Sequence, residues 1–159
     1  MLLMYAFISN IRPCSVRAKT TERFKKAIRN AFKSYYPSTE LLSNDLYGVV
    51  YYFHKKHNQL DADNLSKPIW DALEGILYED DSIIKYRTAG IFDLRSSGLE
   101  ILDITLMPSA VASDFLERLD DSDHILYIEI GNLNYSLFKF GCENELRVTK
   151  FQGVKNENQ

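Results

Sequence analysis

Cysteine is scarce in this chain. The two present among 159 residues, Cys14 and Cys142, lie far apart and form no metal-ligand pattern. They read as reduced thiols of a cytoplasmic protein, with a single disulfide left open. Long hydrophobic runs are also missing. The apolar opening Met1 to Ile8 lacks a basic leader and is too short to span a bilayer, so it reads as a first β-strand and no membrane association is expected. There is no internal repeat. Overall positive charge is absent too: the net charge is −3, which by itself argues against a nucleic-acid partner. What remains, 45% hydrophobic and 26% charged residues, is the composition of a globular protein with one real core.

The distribution of charge changes that picture. Residues 1–60 carry ten Lys/Arg against three Asp/Glu, residues 61–98 four against eight, and residues 99–159 five against eleven. A basic third followed by acidic segments suits a basic surface beside a carboxylate site. The plainer alternative is that the basic run is the wet face of a helix.

Periodicity supplies the elements. A helix is predicted from about Thr20 to Tyr36, capped by Thr20 or Thr21. Phe24, Ala27, Ile28, Ala31, Phe32 and Tyr35 lie on one face, with Arg23, Lys25, Lys26, Arg29 and Lys33 on the other. Leu46 to Phe53 is a strand rich in aromatic and β-branched residues. His54 to Gln59 reads as a solvated, partly basic loop, with Lys55 and Lys56 suited to a DNA backbone together with Arg23 and Lys26. Leu65 to Leu77 reads as a second helix, capped by Asp63 or Asn64, with Pro68 in or next to its first turn. Residues 82–92 and 99–106 are two expected strands. The whole is an α+β fold, a β-α-β-α-β-β core over residues 1–107. Residues 108–159 are expected to add a C-terminal extension, a helix at 110–119 and a β-meander with strands near 125–130, 135–140 and 146–151.

The chemistry concentrates between residues 61 and 81. Asp61 and Asp63 are two apart in a segment entering a helix, Lys67 follows one turn later, and the helix returns the chain to Asp80 and Asp81. Carboxylate oxygens are the ligands Mg²⁺ and Mn²⁺ prefer, and a lysine beside them is placed to stabilise charge on a phosphate under attack. A capping Asp with a surface Asp beside it is the bland alternative for the pair. An EF-hand is a poor alternative, because its glycine position holds Ser66 and its closing glutamate position Ala72. Asp71 is placed to form a salt bridge to Lys67. Trp70 and Tyr78 read as packing or dimer-contact residues, and His124 as a surface residue.

The pattern Asp61-x-Asp63-Asn64-Leu65-x-Lys67, then Asp71-Ala72-Leu73, then Asp80-Asp81-x-x-Ile84, resembles the RusA family of Holliday junction resolvases. The resemblance covers roughly residues 4–107. It implies a homodimeric, Mg²⁺-dependent endonuclease, often carried by prophages, that cuts four-way DNA junctions. It further implies that Asp61, Asp63 and Asp81 hold the metal, that Lys67 is the essential lysine, and that Asp80 shapes the site's field. The rival readings are a DNA-binding protein that keeps the fold without cutting, and an interaction protein acting through its acidic C-terminal part.

Overall fold

The first strand, β1 (Met4–Ser9), points Phe7 to one side and Ala6 and Ile8 to the other, and this alternation divides the interior into two cores. The structure is a computed structural model that describes residues 4–14, 19–96 and 102–137. Chain order continues with α1 (Thr21–Tyr35), β2 (Leu46–His54), α2 (Ala62–Leu73), β3 (Ile84–Asp93), α3 (Ser109–Asp121) and β4 (His124–Asn132). The strands form one mixed sheet in the order β1-β4-β2-β3. β4 runs antiparallel to both neighbours, and β2 is parallel to β3 through the α2 crossover.

Helices α1 and α2 share the first face of the sheet. Phe24, Ile28 and Phe32, spaced by four, and Leu65, Ile69, Trp70 and Leu73 pack with Phe7, Val50, Tyr52, Leu126 and Ile128. Helix α3 covers part of the second face, where Val111 and Phe115 meet Ala6, Ile8, Phe53 and Ile125. No described helix is long and apolar enough to cross a membrane. Trp70 and Tyr78 are fully buried, so both are packing residues. The Trp70 ring leaves no room for a side chain on β2: a Cβ on Gly48 would lie 2.7 Å from its Cη2 and Cζ2 atoms. Gly48→Ala is expected to cost about 1–3 kcal/mol by overpacking, read as a lower urea midpoint at unchanged slope.

Several expectations shift. β4 comes from beyond the anticipated boundary at residue 107, yet it is paired along both edges inside the sheet. The strand expected at 99–106 is absent from its described part, residues 102–106, which are loop and turn; residues 99–101 lie outside the described residues. β3 pairs in parallel with β2. Of the strand expected at 135–140, Tyr135–Leu137 is a 3-10 turn, Tyr135 donating to Asp45 at 2.7 Å. Residues 138–140 and 146–151 lie outside the described set. His54 is not in a solvated loop. It is the buried last residue of β2, and its Nδ1–H donates to the Lys56 carbonyl at 2.7 Å. His124 is half-buried at the start of β4, 2.8 Å from the Tyr52 hydroxyl.

Candidate active site

The site is built on α2 and on the segment that returns from it. Asp61, in extended backbone (φ −82°, ψ 151°), accepts the first helical hydrogen bonds through its carbonyl, from the N–H groups of Asn64 and Leu65, each at 3.1 Å. The helix therefore begins three residues earlier than its apolar stripe indicates. Asp61 occupies the cap position in place of Asp63 or Asn64, and Pro68 falls in the helix interior, where it offers no N–H to the carbonyl of Asn64. The helix stops at Leu73, short of the expected Leu77. Glu74 turns out of helical geometry (φ −59°, ψ 137°) and Gly75 adopts φ +74°, a conformation suited to glycine. The Arg29 guanidinium donates to the Ala72 carbonyl at 2.9 Å, placing a cation at the negative end of the helix. Part of the basic face of α1 is thus spent on α2, while Arg23 and Lys26 stay exposed.

The chain then doubles back. Gly75 N–H donates to the Tyr78 carbonyl at 2.7 Å, and the buried Tyr78 hydroxyl donates to the Trp70 carbonyl at 2.7 Å, which pins the return to the middle of the helix. Asp80 caps the 3-10 turn Asp81–Ile83 by accepting from Ser82 N–H at 2.8 Å, and the Ser82 hydrogen bonds hold its carboxyl below the ordinary range. Asp81 arrives beside Lys67 by this route.

Lys67 is the hub. Its ammonium donates to Asp71 at 2.6 Å and to Asp81 at 2.9 Å. These bonds, the Asp71 one first, raise its pKa above the ordinary lysine value. Asp71, Glu74 and Asp81 offer carboxylate oxygens within 4.8 Å of one another. All three are already engaged in holding the site, Asp81 through Lys67 and, at 3.3 Å, through Arg87. Asp71 pairs with Lys67 and, at 3.9 Å, with Lys25, while Glu74 Oε1 accepts from the Asp81 N–H at 3.2 Å.

Asp61 and Asp63 do not belong to that group of three. Both are exposed at the start of α2. Asp61 makes no capping bond with its side chain, and neither carboxylate has a described hydrogen-bond or ion-pair partner. The plain alternative expected Asp63 to cap the helix with Asp61 as a surface residue before it; instead Asp61 holds the cap position through its backbone, and both side chains are exposed. Positions 63, 67 and 71 follow one another at helical spacing on one face, so Asp63 stands about 6 Å along the axis from Lys67. The face thus runs carboxylate, ammonium, carboxylate, with Asp81 beside its middle.

Among the expected DNA contacts, the Lys55 ammonium is held by the Leu119 carbonyl, and Lys56 pairs with Asp123 at 2.6 Å while its side chain stays 67% exposed. These ties fix the loop before Asp61 to the corner between α3 and β4. Two contributors were not singled out from sequence. Glu74 lies three residues beyond Asp71 on the same polar side, a signal that was readable. Arg87 reaches Asp81 only through the fold.

The family model for endodeoxyribonuclease RusA matches residues 12–101, more than half of the chain. The chain belongs to the RusA family. The match spans α1, β2, α2, the site and β3. It begins after β1 and ends before α3 and β4, and the RusA-type segment therefore relies on two strands from outside the match, β1 and β4, to complete the sheet. No curated protein matches the chain.

Proposed function

We propose that this RusA-family protein is a divalent-metal-dependent endodeoxyribonuclease that hydrolyses phosphodiesters in branched DNA, with the four-way junction as substrate. The observation that carries the reading is the division of labour among the carboxylates. Asp71, Glu74 and Asp81 are tied to Lys67, Arg87 and one another, whereas Asp61 and Asp63 stand exposed without described partners at the start of the same helix. Hard oxygen donors in excess over the neighbouring cations, Lys25, Lys67 and Arg87, fit Mg²⁺ or Mn²⁺. In this reading Asp61, Asp63 and Asp81 hold the ion. A bound divalent cation polarises the scissile phosphate and lowers the pKa of the attacking water.

The protein's own residues supply the rest. The positive N-terminal end of α2 favours both free carboxylates and an approaching phosphate. Lys67 stays an ammonium through neutral and mildly alkaline pH, because its pKa is raised by the groups it bonds to. It stabilises negative charge and does not shuttle protons. Asp71 keeps that ammonium on the helix face. Arg23 and Lys26 on α1, with the exposed Lys56 in the loop, contact the DNA backbone, while Lys55, tied to the Leu119 carbonyl, reaches it only on release from that bond. Two copies related by a two-fold axis place two sites on one junction and account for paired cuts. The enzyme works in the cytoplasm, where the DNA is.

The test is cleavage of a synthetic four-way junction beside linear duplex, with and without Mg²⁺. Junction-only, metal-dependent cutting is expected. Lys67→Met is expected to lower kcat by about 10²–10³-fold, as for loss of a donor to developing charge. The raised Lys67 pKa sets the sign of the alkaline limb: its contribution persists below the ordinary lysine value and fades only as pH rises past it. No loss traceable to Lys67 is therefore expected between pH 7 and about 9. A folded protein that cuts no junction with either Mg²⁺ or Mn²⁺ is a binding protein and overturns the reading.

A further inference from the structure

Arg87 projects from β3, the strand at one edge of the sheet, onto the 3-10 turn that carries Asp81. Its Nη2 donates to the Asp81 backbone carbonyl at 2.6 Å and lies 3.3 Å from Asp81 Oδ2, while its Nε donates to the Ile84 carbonyl at 3.3 Å. One guanidinium therefore grips the backbone on both sides of the turn and the carboxylate it presents. The same Oδ2 takes the Lys67 ammonium at 2.9 Å. The Asp81 side chain is 15% exposed between these two cations.

We propose that Arg87 is a positioning residue of the nuclease site, fixing the Asp81 carboxylate and its turn in the orientation that metal and Lys67 require. The inference rests on the assignment of Asp81 to the metal site. Three contacts by one planar fork explain the residue type, because a lysine in its place is a single point donor and cannot span two backbone carbonyls and a carboxylate together. The other role open to an arginine here is direct contact with a DNA phosphate, and the two roles separate experimentally.

The probe is Mn²⁺, titrated calorimetrically into wild type, Arg87→Met and Arg87→Lys, with junction binding measured without metal across a salt series. Loss of an outer partner of a metal ligand weakens metal affinity or activity by about 10–100-fold. Arg87→Met is expected to weaken Mn²⁺ binding and kcat within that range, with metal-free junction affinity and its salt slope unchanged. Arg87→Lys is expected to recover little of either loss. Full recovery in Arg87→Lys, or Mn²⁺ affinity equal to wild type in both variants, overturns the positioning role. Intact Mn²⁺ affinity with weaker junction binding and a salt slope reduced by about one assigns Arg87 to a phosphate instead. Should Arg87→Met fail to fold, the lysine variant decides by the same readouts. Wild type that binds no Mn²⁺ overturns the metal reading itself, an outcome distinct from equal binding by wild type and variants.

Discussion

Asp63→Asn is expected to abolish cleavage while leaving the fold and junction binding in place. The side chain is exposed and has no described partner, so the substitution costs the fold only the interaction of its charge with the N-terminal end of α2, about 0.3–1 kcal/mol. Chemistry is where the loss falls. An ion that stabilises transition-state charge contributes several kcal/mol. With about 1.4 kcal/mol per factor of ten, loss of a metal carboxylate lowers kcat by about a thousandfold or more. Junction affinity, set by cations elsewhere, stays the same or rises slightly as one negative charge disappears. Asp71→Asn behaves differently. It frees Lys67 from its 2.6 Å partner, but Asp81 still holds the ammonium, so a smaller loss of about 10–100-fold is expected. Comparing kcat and metal-free junction Kd for the two variants checks the contrast. Equal, mild effects of both would contradict it.

Deleting residues 108–159 is expected to unfold the protein rather than release an autonomous nuclease core. Among the described residues β1 touches the sheet only through β4, and β4 stands between it and β2. The deletion removes the buried side chains of Val111, Phe115, Ile125, Leu126, Ile128 and Ile130. At about 1.5–3 kcal/mol each, their loss rivals the roughly 5–15 kcal/mol by which a domain is stable. It also bares the edges of β1 and β2 to aggregation. Loss of near-ultraviolet circular dichroism and of a cooperative melt is the expected result. A truncated protein that melts cooperatively and still cuts junctions would show that β4 is dispensable.

The elements legible in the sequence were those governed by local periodicity. The apolar spacing of α1 and the aromatic alternation of β2 located both within a residue or two of their observed bounds. The Lys67–Asp71 pair was readable because positions four apart on a helix meet. What escaped depends on contacts distant in sequence. Nothing local in His124 to Asn132 says that this strand enters the sheet between β1 and β2, so it read as an appendage. The stripe of α2 continued through Ile76 and Leu77, which hid the stop that Glu74 and Gly75 impose by leaving helical geometry. Residues 102–106 had the composition of a strand, yet they are loop and turn. Arg87 gave no signal, because its link to Asp81 exists only once β3 lies beside the returning turn.

The most direct measurement is the calorimetric titration of Mn²⁺ into wild type and five single variants: Asp61→Asn, Asp63→Asn, Asp81→Asn, Asp71→Asn and Glu74→Gln. The first three are expected to lose specific binding. The last two are expected to keep it, weakened by no more than about 10–100-fold, since their carboxylates hold Lys67 and the Asp81 N–H. Loss of binding in Asp71→Asn and Glu74→Gln, with Asp61→Asn and Asp63→Asn binding as wild type does, would put the ion at Asp71, Glu74 and Asp81 and contradict the account.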